Sequence, residues 1–197
     1  MRVLITGFGV FANNTENPTE TLVASISEMN DPALVLGVDD VARTRPCAID
    51  AEVLPVEYQG ARARLEQLGA YDLHIALGLA ADRTKITVER FAINKQDSRT
   101  ADMSGQIARN EAIGDGPLAL ETSFDVPALV ESAREAGFDV AQSLSAGLYV
   151  CNTVYYTALQ VSRSAVFIHI PPQEYSSLET NLDFIRWIVR KLLSEIF

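Results

Sequence analysis

Cys151 and His169 are the two residues of this sequence best suited to covalent chemistry. Cys151 lies just after the small-residue run 145–147, where a helix is predicted to begin. The partial positive charge of a helix N-terminus favours the thiolate, which is the nucleophilic form of cysteine. His169 ends the next apolar strand, and a cysteine paired in space with a histidine is the minimal apparatus of a thiol hydrolase. This pair is therefore the candidate active site.

Each candidate side chain also has an ordinary structural explanation. A cysteine among apolar residues is more often a small buried hydrophobe than a nucleophile, and a histidine such as His169 is often simply hydrogen-bonded at a strand end. Glu89 interrupts an apolar strand, where a surface carboxylate is the commoner case, although a carboxylate could also orient a catalytic imidazole. His74 lies in the middle of a strand and is predicted to pack in the core. Cys47 has no helix start or histidine strand beside it and is assigned no role.

Composition excludes several classes of partner. The 197 residues suffice for one sizeable core, so a single domain over 1–197 is expected. A net charge of -10 argues against nucleic acid, which needs a basic face. No apolar run approaches the length of a membrane span, and the N-terminus is unlike a signal peptide. We therefore expect a cytoplasmic protein that binds no membrane and keeps both cysteines as free thiols.

Strand-like and helix-like segments alternate along the chain. This alternation predicts an α/β fold, a three-layer α/β/α sandwich with a mostly parallel central sheet. The 86–93 strand alternates apolar and polar residues, as an edge or half-exposed strand would, and the 94–122 segment is expected to be a functional or mobile loop. Strands are predicted at 2–6, 34–43, 49–56, 73–77, 86–93, 140–144 and 165–169, and helices at 18–29, 58–68, 127–136, 148–161 and 178–196.

The glycine-rich segment 7–12 after the first strand matches the G-x-G-x-x-A dinucleotide pattern only weakly. The capped helix begins several residues too late, at Pro18, and no acidic strand end follows at the expected position, so no nicotinamide site is predicted. Phe8 and Phe11 could instead wall an apolar pocket, although packing against the core is the default explanation for both. The sequence has no metal-ligand spacing and no phosphate-binding loop, so neither a metal nor a cofactor is expected.

Five segments together resemble the successive motifs of the pyroglutamyl peptidase I (pyrrolidone-carboxylate peptidase) family. Their order and approximate spacing agree from the first strand to the last helix, so the resemblance covers nearly the whole chain. The segments are GFGVF at 7–11 with NPT at 17–19, GLAADR at 78–83, VERFAIN at 88–94, SAGLYVCN at 145–152 and FIHIP at 167–171.

The resemblance implies a cysteine exopeptidase that removes N-terminal pyroglutamate from peptides without a cofactor, often as a homo-oligomer (a dimer or tetramer). It implies that Cys151 is the nucleophile, that His169 is the general base and acid, and that Glu89 orients His169. The remaining roles that it implies are an oxyanion helper, Arg99; apolar pocket walls, Phe8, Phe11, Tyr149 and Val150; and polar pocket contacts, Asn17 and the backbone near Leu79.

The sequence departs from the family pattern around the expected pocket. Valine stands at position 10 where proline is usual, leucine at 79 where glutamine is frequent, and the 100–105 run differs. A pocket floor that differs from the family's is therefore expected, with Thr100 in place of an aliphatic residue. Two alternatives stay open: a thiol hydrolase acting on another small N-terminal or cyclic-amide group, and a non-catalytic relative that binds a lactam.

Overall fold

The computed structural model describes residues 1–11, 16–29 and 47–196. The predicted strand at 34–43 therefore lies outside the described residues. Six strands form the main sheet in the order β2-β1-β3-β8-β4-β7, and β5 and β6 form a small antiparallel ribbon. The strands are β1 (Arg2–Phe8), β2 (Ala48–Leu54), β3 (Leu73–Leu79), β4 (Ile86–Glu89), β5 (Phe91–Ile93), β6 (Ala119–Glu121), β7 (Val140–Ser143) and β8 (Ala165–Ile170).

Helices cover both faces of this sheet and confirm the predicted three layers. One apolar cluster joins the sheet to α1, α3 and α5, and a second cluster on the opposite face joins it to α2 and α4. Every neighbouring pair in the sheet is parallel except β4 and β8, so the sheet is mostly parallel, as predicted. The helices are α1 (Pro18–Met29), α2 (Tyr58–Leu68), α3 (Val126–Glu135), α4 (Val150–Val161) and α5 (Leu178–Ile196).

The alternation of side chains along β8 assigns its residues to the two faces. Val166, Ile168 and Ile170 pack in the cluster under α1 and α5, whereas Phe167 packs in the cluster under α4. His169 shares the face of Phe167, since the two ring centroids are 4.8 Å apart. In a strand, residues two apart point to the same side. His169 therefore faces the layer that contains α4.

The 86–93 segment differs from its prediction. It is divided at Arg90 into β4 and β5, and β4 lies inside the main sheet between β8 and β7. All four residues of β4 are buried, so the expectation of an edge or half-exposed strand was wrong. The polar residues of β4 have partners inside the protein: Arg83 bonds Thr87 and Glu89, and Glu89 also bonds His169, so their polarity does not indicate solvent.

The 94–122 segment is held by specific bonds. The amide of Asn94 bonds the backbone of Ile113, Gly114 and Gly116, and Asp102 accepts the backbone N–H of Tyr58 at the start of α2. Although burial raises the pKa of Asp102, its hydrogen bonds outweigh burial and lower that pKa below its ordinary value. The segment also contains β6, which the prediction missed because the strand has only three residues.

His74 is a core residue, as predicted. Its imidazole is fully buried, and its Nε2 lies 2.9 Å from the Oγ1 of Thr6. Burial disfavours the charged form and lowers the pKa of His74 from 6.5 to about 3. Among the helices that the structure describes, none is long and apolar enough to cross a membrane.

The buried His74 should make folding stability depend on pH. Its pKa is lower in the folded chain, so the unfolded chain binds the extra proton between pH 3 and 6.5, and stability falls as pH falls through that window. From pH 7 to pH 5 this residue should remove about 2 kcal/mol of the free energy of unfolding. Urea unfolding at both pH values should show that the free energy of unfolding falls by about 2 kcal/mol less in His74→Asn than in the wild type. Equal losses in the two proteins would contradict the assignment.

Candidate active site

Cys151 lies in the first turn of α4, which begins two residues later than predicted. Tyr149 remains extended, with φ -89° and ψ -166°, and forms the N-cap, so Cys151 is the second helical residue. The turn before it depends on Gly147, whose φ of +81° is a left-handed conformation that only glycine adopts easily. The small-residue run thus makes a tight turn that delivers the cysteine to a helix N-terminus.

Gly78 allows the sulfur of Cys151 to approach the sheet. A Cβ atom at Gly78 would lie 3.0 Å from the Sγ of Cys151 and 2.8 Å from the Cζ of Phe167. Gly78 is also the residue of β3 that pairs with His169 in β8. The thiol and the imidazole therefore lie at the same end and on the same face of the sheet, next to one glycine.

Glu89 reaches His169 from the neighbouring strand. In the antiparallel ladder, Glu89 lies opposite Phe167 and Thr87 lies opposite His169, so Glu89 is diagonal to the histidine. Its Oε1 lies 2.7 Å from the Nδ1 of His169, and the carboxylate has no exposed surface. A buried carboxylate accepts from the N–H at Nδ1, which leaves Nε2 as the basic nitrogen.

Arg83 is a part of the site that sequence reasoning missed. Its Nη1 donates to the Oε1 of Glu89 at 2.6 Å and also to the hydroxyl of Thr87. Its Nη2 contacts the turn that precedes Cys151, through the Oγ of Ser143 at 3.3 Å and the carbonyl of Ser145 at 3.5 Å. The signal available in the sequence was an arginine six residues before a glutamate inside an apolar strand, but this spacing alone indicates no contact.

The thiol of Cys151 experiences opposing electrostatic effects. Burial raises its pKa to about 12, and the negative charge of Glu89 contributes to the rise, whereas the residue's own backbone N–H and Arg83 lower it. Burial is the largest of these causes. The start of the helix favours the thiolate, as expected, but burial of the sulfur has the larger effect on its pKa.

The start of α4 also organises the segment that leads to Arg99. The side-chain amide of Asn152 bonds the backbone N–H and carbonyl of Ile93 and the carbonyl of Lys95, and the backbone N–H of Asp97 donates to the carbonyl of Leu148 at 3.0 Å. These bonds tie the 93–97 segment to the residues on either side of Cys151. The segment that follows is consequently carried to the same end of the sheet.

An open cleft of about 380 Å³ lies beside the start of α4. Phe11, Tyr149 and the 97–100 segment line it, and the two aromatic ring centroids are 6.4 Å apart. The hydroxyl of Tyr149 donates to the carbonyl of Ala101 at 3.0 Å, which fixes one wall. Arg99 is exposed at the cleft and makes no hydrogen bond or ion pair with another residue that the structure describes.

Three other predicted pocket residues occupy different places. Phe8 and Val150 are buried in the apolar cluster beneath α2 and α4, so they can support the cleft from behind but do not line it. Asn17 is used internally: its Nδ2 donates to the carbonyl of Gly9 at 2.9 Å, and its Oδ1 accepts the N–H of Thr19, which caps α1. Its expected contact with substrate is not supported by this geometry.

The predicted polar contact near Leu79 concerns its backbone, which lies at the end of β3. His74 at the start of β3 and Ala80 just after its end donate their N–H groups toward β8, so by alternation the N–H and carbonyl of Leu79 face the other side of β3. On that edge the ladder with β1 ends at Thr6 and Ala76. The backbone of Leu79 therefore lies beyond the end of the ladder with β1, and its expected polar contact with substrate stays a prediction.

Metal ligation finds no support in the described part of the chain, where no three His, Cys, Asp or Glu side chains are grouped to hold an ion. Both cysteines are free thiols, as predicted. The arrangement offers a thiol, an imidazole with an ionic partner and an aromatic cleft beside them. These groups are suited to acyl transfer through a thioester.

Comparison with known proteins agrees with this chemistry. A family model described as pyroglutamyl peptidase matches residues 1–177. The chain belongs to the pyroglutamyl peptidase family. This is a family of cysteine-type peptidases, and the match extends from β1 to the segment just before α5.

Individual relatives in the pyroglutamyl peptidase family cover most of the chain. A pyrrolidone-carboxylate peptidase of Thermococcus onnurineus (strain NA1) is 36% identical over 181 residues, covering 87% of this chain and 84% of the relative. A pyrrolidone-carboxylate peptidase of Klebsiella pneumoniae (strain 342) is 37% identical over 175 residues, covering 86% of this chain and 77% of the relative.

Solved structures of pyroglutamyl peptidases have the same fold. The pyrrolidone carboxyl peptidase of Fervidobacterium islandicum AW-1 superposes with a TM-score of 0.84 at 28% identity, over 98% of both chains. The pyrrolidone carboxyl peptidase of Pyrococcus furiosus superposes with a TM-score of 0.85 at 27% identity, over 100% of both chains. The α/β fold derived above is therefore the fold of this family.

Gly78→Ala should test the close approach of α4 to β3. The added methyl group would press on the sulfur of Cys151 and the ring of Phe167, and overpacking of this kind costs about 1–3 kcal/mol. Urea unfolding should show that loss, and iodoacetamide should alkylate Cys151 at an altered rate. Gly9→Ala is the matched control, since its Cβ would meet nothing closer than 3.9 Å. Equal stability of the two variants would contradict the packing argument.

The raised pKa of Cys151 predicts how alkylation depends on pH. Because only the thiolate reacts, and the pKa of about 12 lies above the tested range, the alkylation rate should rise about tenfold per pH unit between pH 7 and 9. The measurement uses iodoacetamide, mass spectrometry and a Cys47→Ser background, so that one thiol is followed. An alkylation rate that reaches a plateau below pH 8 would show that burial is not the largest effect on the pKa of Cys151.

Proposed function

We propose that this chain is a cysteine exopeptidase that hydrolyses the bond after an N-terminal pyroglutamyl residue. The observation that carries the proposal is the grouping of the Cys151 thiol with the His169–Glu89 pair on one face of the sheet, beside Gly78. The family membership and the named activity of the relatives support the same conclusion. Cys151 is the proposed nucleophile, His169 the base and acid, and Glu89 the residue that orients the imidazole.

The first step needs a base, because burial raises the pKa of the Cys151 thiol. Nε2 of His169 takes the proton from the sulfur as the sulfur attacks the pyroglutamyl carbonyl carbon, and the imidazolium that forms is stabilised by the Glu89 carboxylate 2.7 Å from Nδ1. The carbonyl π electrons move to the oxygen. The backbone N–H of Cys151, at the start of α4, is available to this oxyanion.

The second half of the reaction returns the proton. The tetrahedral intermediate collapses as the C–N bond breaks, and the imidazolium donates its proton to the departing amine of the shortened peptide. A thioester to Cys151 remains. Water, deprotonated by the same Nε2, then attacks the thioester, and free pyroglutamate leaves as the sulfur regains its proton.

The aromatic cleft suits the substrate's chemistry. Pyroglutamate is a flat, uncharged lactam, which needs apolar walls and a few fixed hydrogen bonds. Phe11 and Tyr149 would provide the walls, and the backbone of Leu79 would provide polar contacts. An unblocked N-terminal amine or a glutamate side chain would bring an unpaired charge into this site and be rejected. Arg99, exposed at the cleft, is the proposed second oxyanion donor.

A reducing compartment is part of the proposal. Both cysteines of the described chain are free thiols, and the proposed nucleophile must stay reduced, which favours the cytoplasm. Assembly into a homodimer or homotetramer remains a prediction from the sequence resemblance. Analytical ultracentrifugation at several protein concentrations would measure the oligomer directly.

Turnover of pyroglutamyl-aminocoumarin tests the proposed function. Under reducing conditions we expect release of the fluorophore, abolished in Cys151→Ser and unchanged in Cys47→Ser, which is the matched control. His169→Ala should lower kcat by at least ~10²–10⁴-fold, as is typical for general acid–base groups. Glu89→Gln should cost less than His169→Ala, because it removes only the orienting charge.

Two outcomes would contradict this proposal. Turnover that survives Cys151→Ala would remove the nucleophile. No turnover between pH 6 and 9, with binding of a pyroglutamyl lactam intact by calorimetry, would identify a non-catalytic lactam-binding protein. Hydrolysis of another cyclic amide in preference to pyroglutamyl-aminocoumarin would leave a thiol hydrolase but overturn the substrate.

A further inference from the structure

Arg83 connects two parts of the site that are far apart in the sequence. It lies in the 80–85 connection between β3 and β4, and its side chain is only 27% exposed. One nitrogen of its guanidinium contacts Glu89, and the other contacts the turn that leads to Cys151. A guanidinium presents its donors in a rigid planar fork, so the group bound to one nitrogen is held at a fixed position relative to the group bound to the other.

On the carboxylate side, Arg83 and His169 share one oxygen. The Oε1 of Glu89 accepts from Nη1 of Arg83 at 2.6 Å and from Nδ1 of His169 at 2.7 Å. The other oxygen, Oε2, is buried without a hydrogen-bond partner among the residues that the structure describes. The position of Oε1, and with it the position of the imidazole, therefore depends on the guanidinium. Nη1 also bonds Thr87, which lies opposite His169 in the ladder.

On the other side, Nη2 contacts the 143–147 turn. It reaches the Oγ of Ser143 and the carbonyl of Ser145, and these two atoms lie 3.3 Å from each other. The side chain of Ser145 in turn accepts the N–H of Gly147 at 3.2 Å. This turn sets where α4 begins, and therefore where the sulfur of Cys151 lies.

We infer that Arg83 is a positioning residue, which fixes the His169–Glu89 pair relative to the turn that carries Cys151. It acts through its bonds to Glu89 and to the turn; its charge also lowers the pKa of Cys151, but among the described residues it makes no hydrogen bond to the sulfur or to the residues lining the aromatic cleft. The inference rests on the proposed function, since positioning matters for turnover. It adds a fourth side chain to the proposed triad and assigns it a role in geometry rather than in proton transfer.

A double-mutant cycle tests this role. Arg83→Gln should lower kcat by about 10- to 100-fold, the scale of a misplacement near 1 Å, with KM within about threefold because the cleft is untouched. Arg83→Lys keeps the charge but reaches only one of the two partners, so its kcat should lie between those of Arg83→Gln and the wild type. In a Glu89→Gln background, Arg83→Gln should lower kcat by at most about threefold more, because the carboxylate through which Arg83 mainly acts is already removed.

Arg64→Gln is the matched control. Arg64 also pairs with a carboxylate, that of Glu52 at 2.8 Å, but on α2 and β2 and away from the site. Its kcat and KM should equal those of the wild type. Circular dichroism and urea unfolding identify any variant that fails to fold. If Arg83→Gln does not fold, the kcat of Arg83→Lys is compared with that of the wild type instead.

A second readout does not depend on turnover. The chain has two histidines, so 15N-histidine NMR gives two imidazole signal sets, and His74→Asn assigns them. In the wild type and in Arg64→Gln, the N–H at Nδ1 of His169 should give a downfield, slowly exchanging proton signal from its bond to Glu89. In Arg83→Gln this signal should broaden or disappear, and in Arg83→Lys it should persist with a shift.

The two readouts separate failure of this inference from failure of the proposed function. A wild-type protein without turnover would overturn the proposed function, and the imidazole signal would still decide whether Arg83 positions His169. A signal unchanged in Arg83→Gln would overturn the positioning role. So would a kcat within threefold of the wild type, or an equal fold-loss from Arg83→Gln in the wild-type and Glu89→Gln backgrounds.

Discussion

The bond between the buried carboxylate of Glu89 and the imidazole of His169 is the interaction on which the rest of the site depends. A carboxylate with no exposed surface is costly unless it is paired and hydrogen-bonded. Here one oxygen is bound by both His169 and Arg83. The strand that carries Glu89 is anchored as well, because the hydroxyl of Tyr155 on α4 donates to the Glu89 backbone carbonyl at 2.9 Å.

The topology of the sheet makes this bond possible. β4 and β8 form the antiparallel pair among the neighbouring strands of the described sheet, and β4 lies beside β8 on the side away from β3. A chain that leaves β3 at its carboxyl end can therefore enter β4 at the same end of the sheet, through the short connection 80–85. That connection passes the end of β8, which places Arg83 between His169 and the turn before Cys151.

Close packing and charge oppose each other at Cys151. The absence of a side chain at Gly78 lets the sulfur approach the sheet, and burial there raises the pKa of the thiol. A helix N-terminus and Arg83 do not outweigh that burial together with the charge of Glu89. In the proposed mechanism, the thiol is therefore activated by a neighbouring base at the time of reaction, which would make the orientation of the imidazole decisive.

The sequence by itself determined the order and kind of most elements, because periodicity and capping are local. The N-cap at Asn17, the apolar run that ends at His169 and the helix after Gly147 were all predictable from neighbouring residues. The motifs also identified Cys151, His169 and Glu89, which the fold brings to one face of the sheet. Only the tertiary structure decided that β4 is buried inside the sheet, that burial raises the pKa of the Cys151 thiol and that Arg83 joins the site. Each of these depends on contacts between segments distant in sequence, and burial and partner choice have no local signal in the chain.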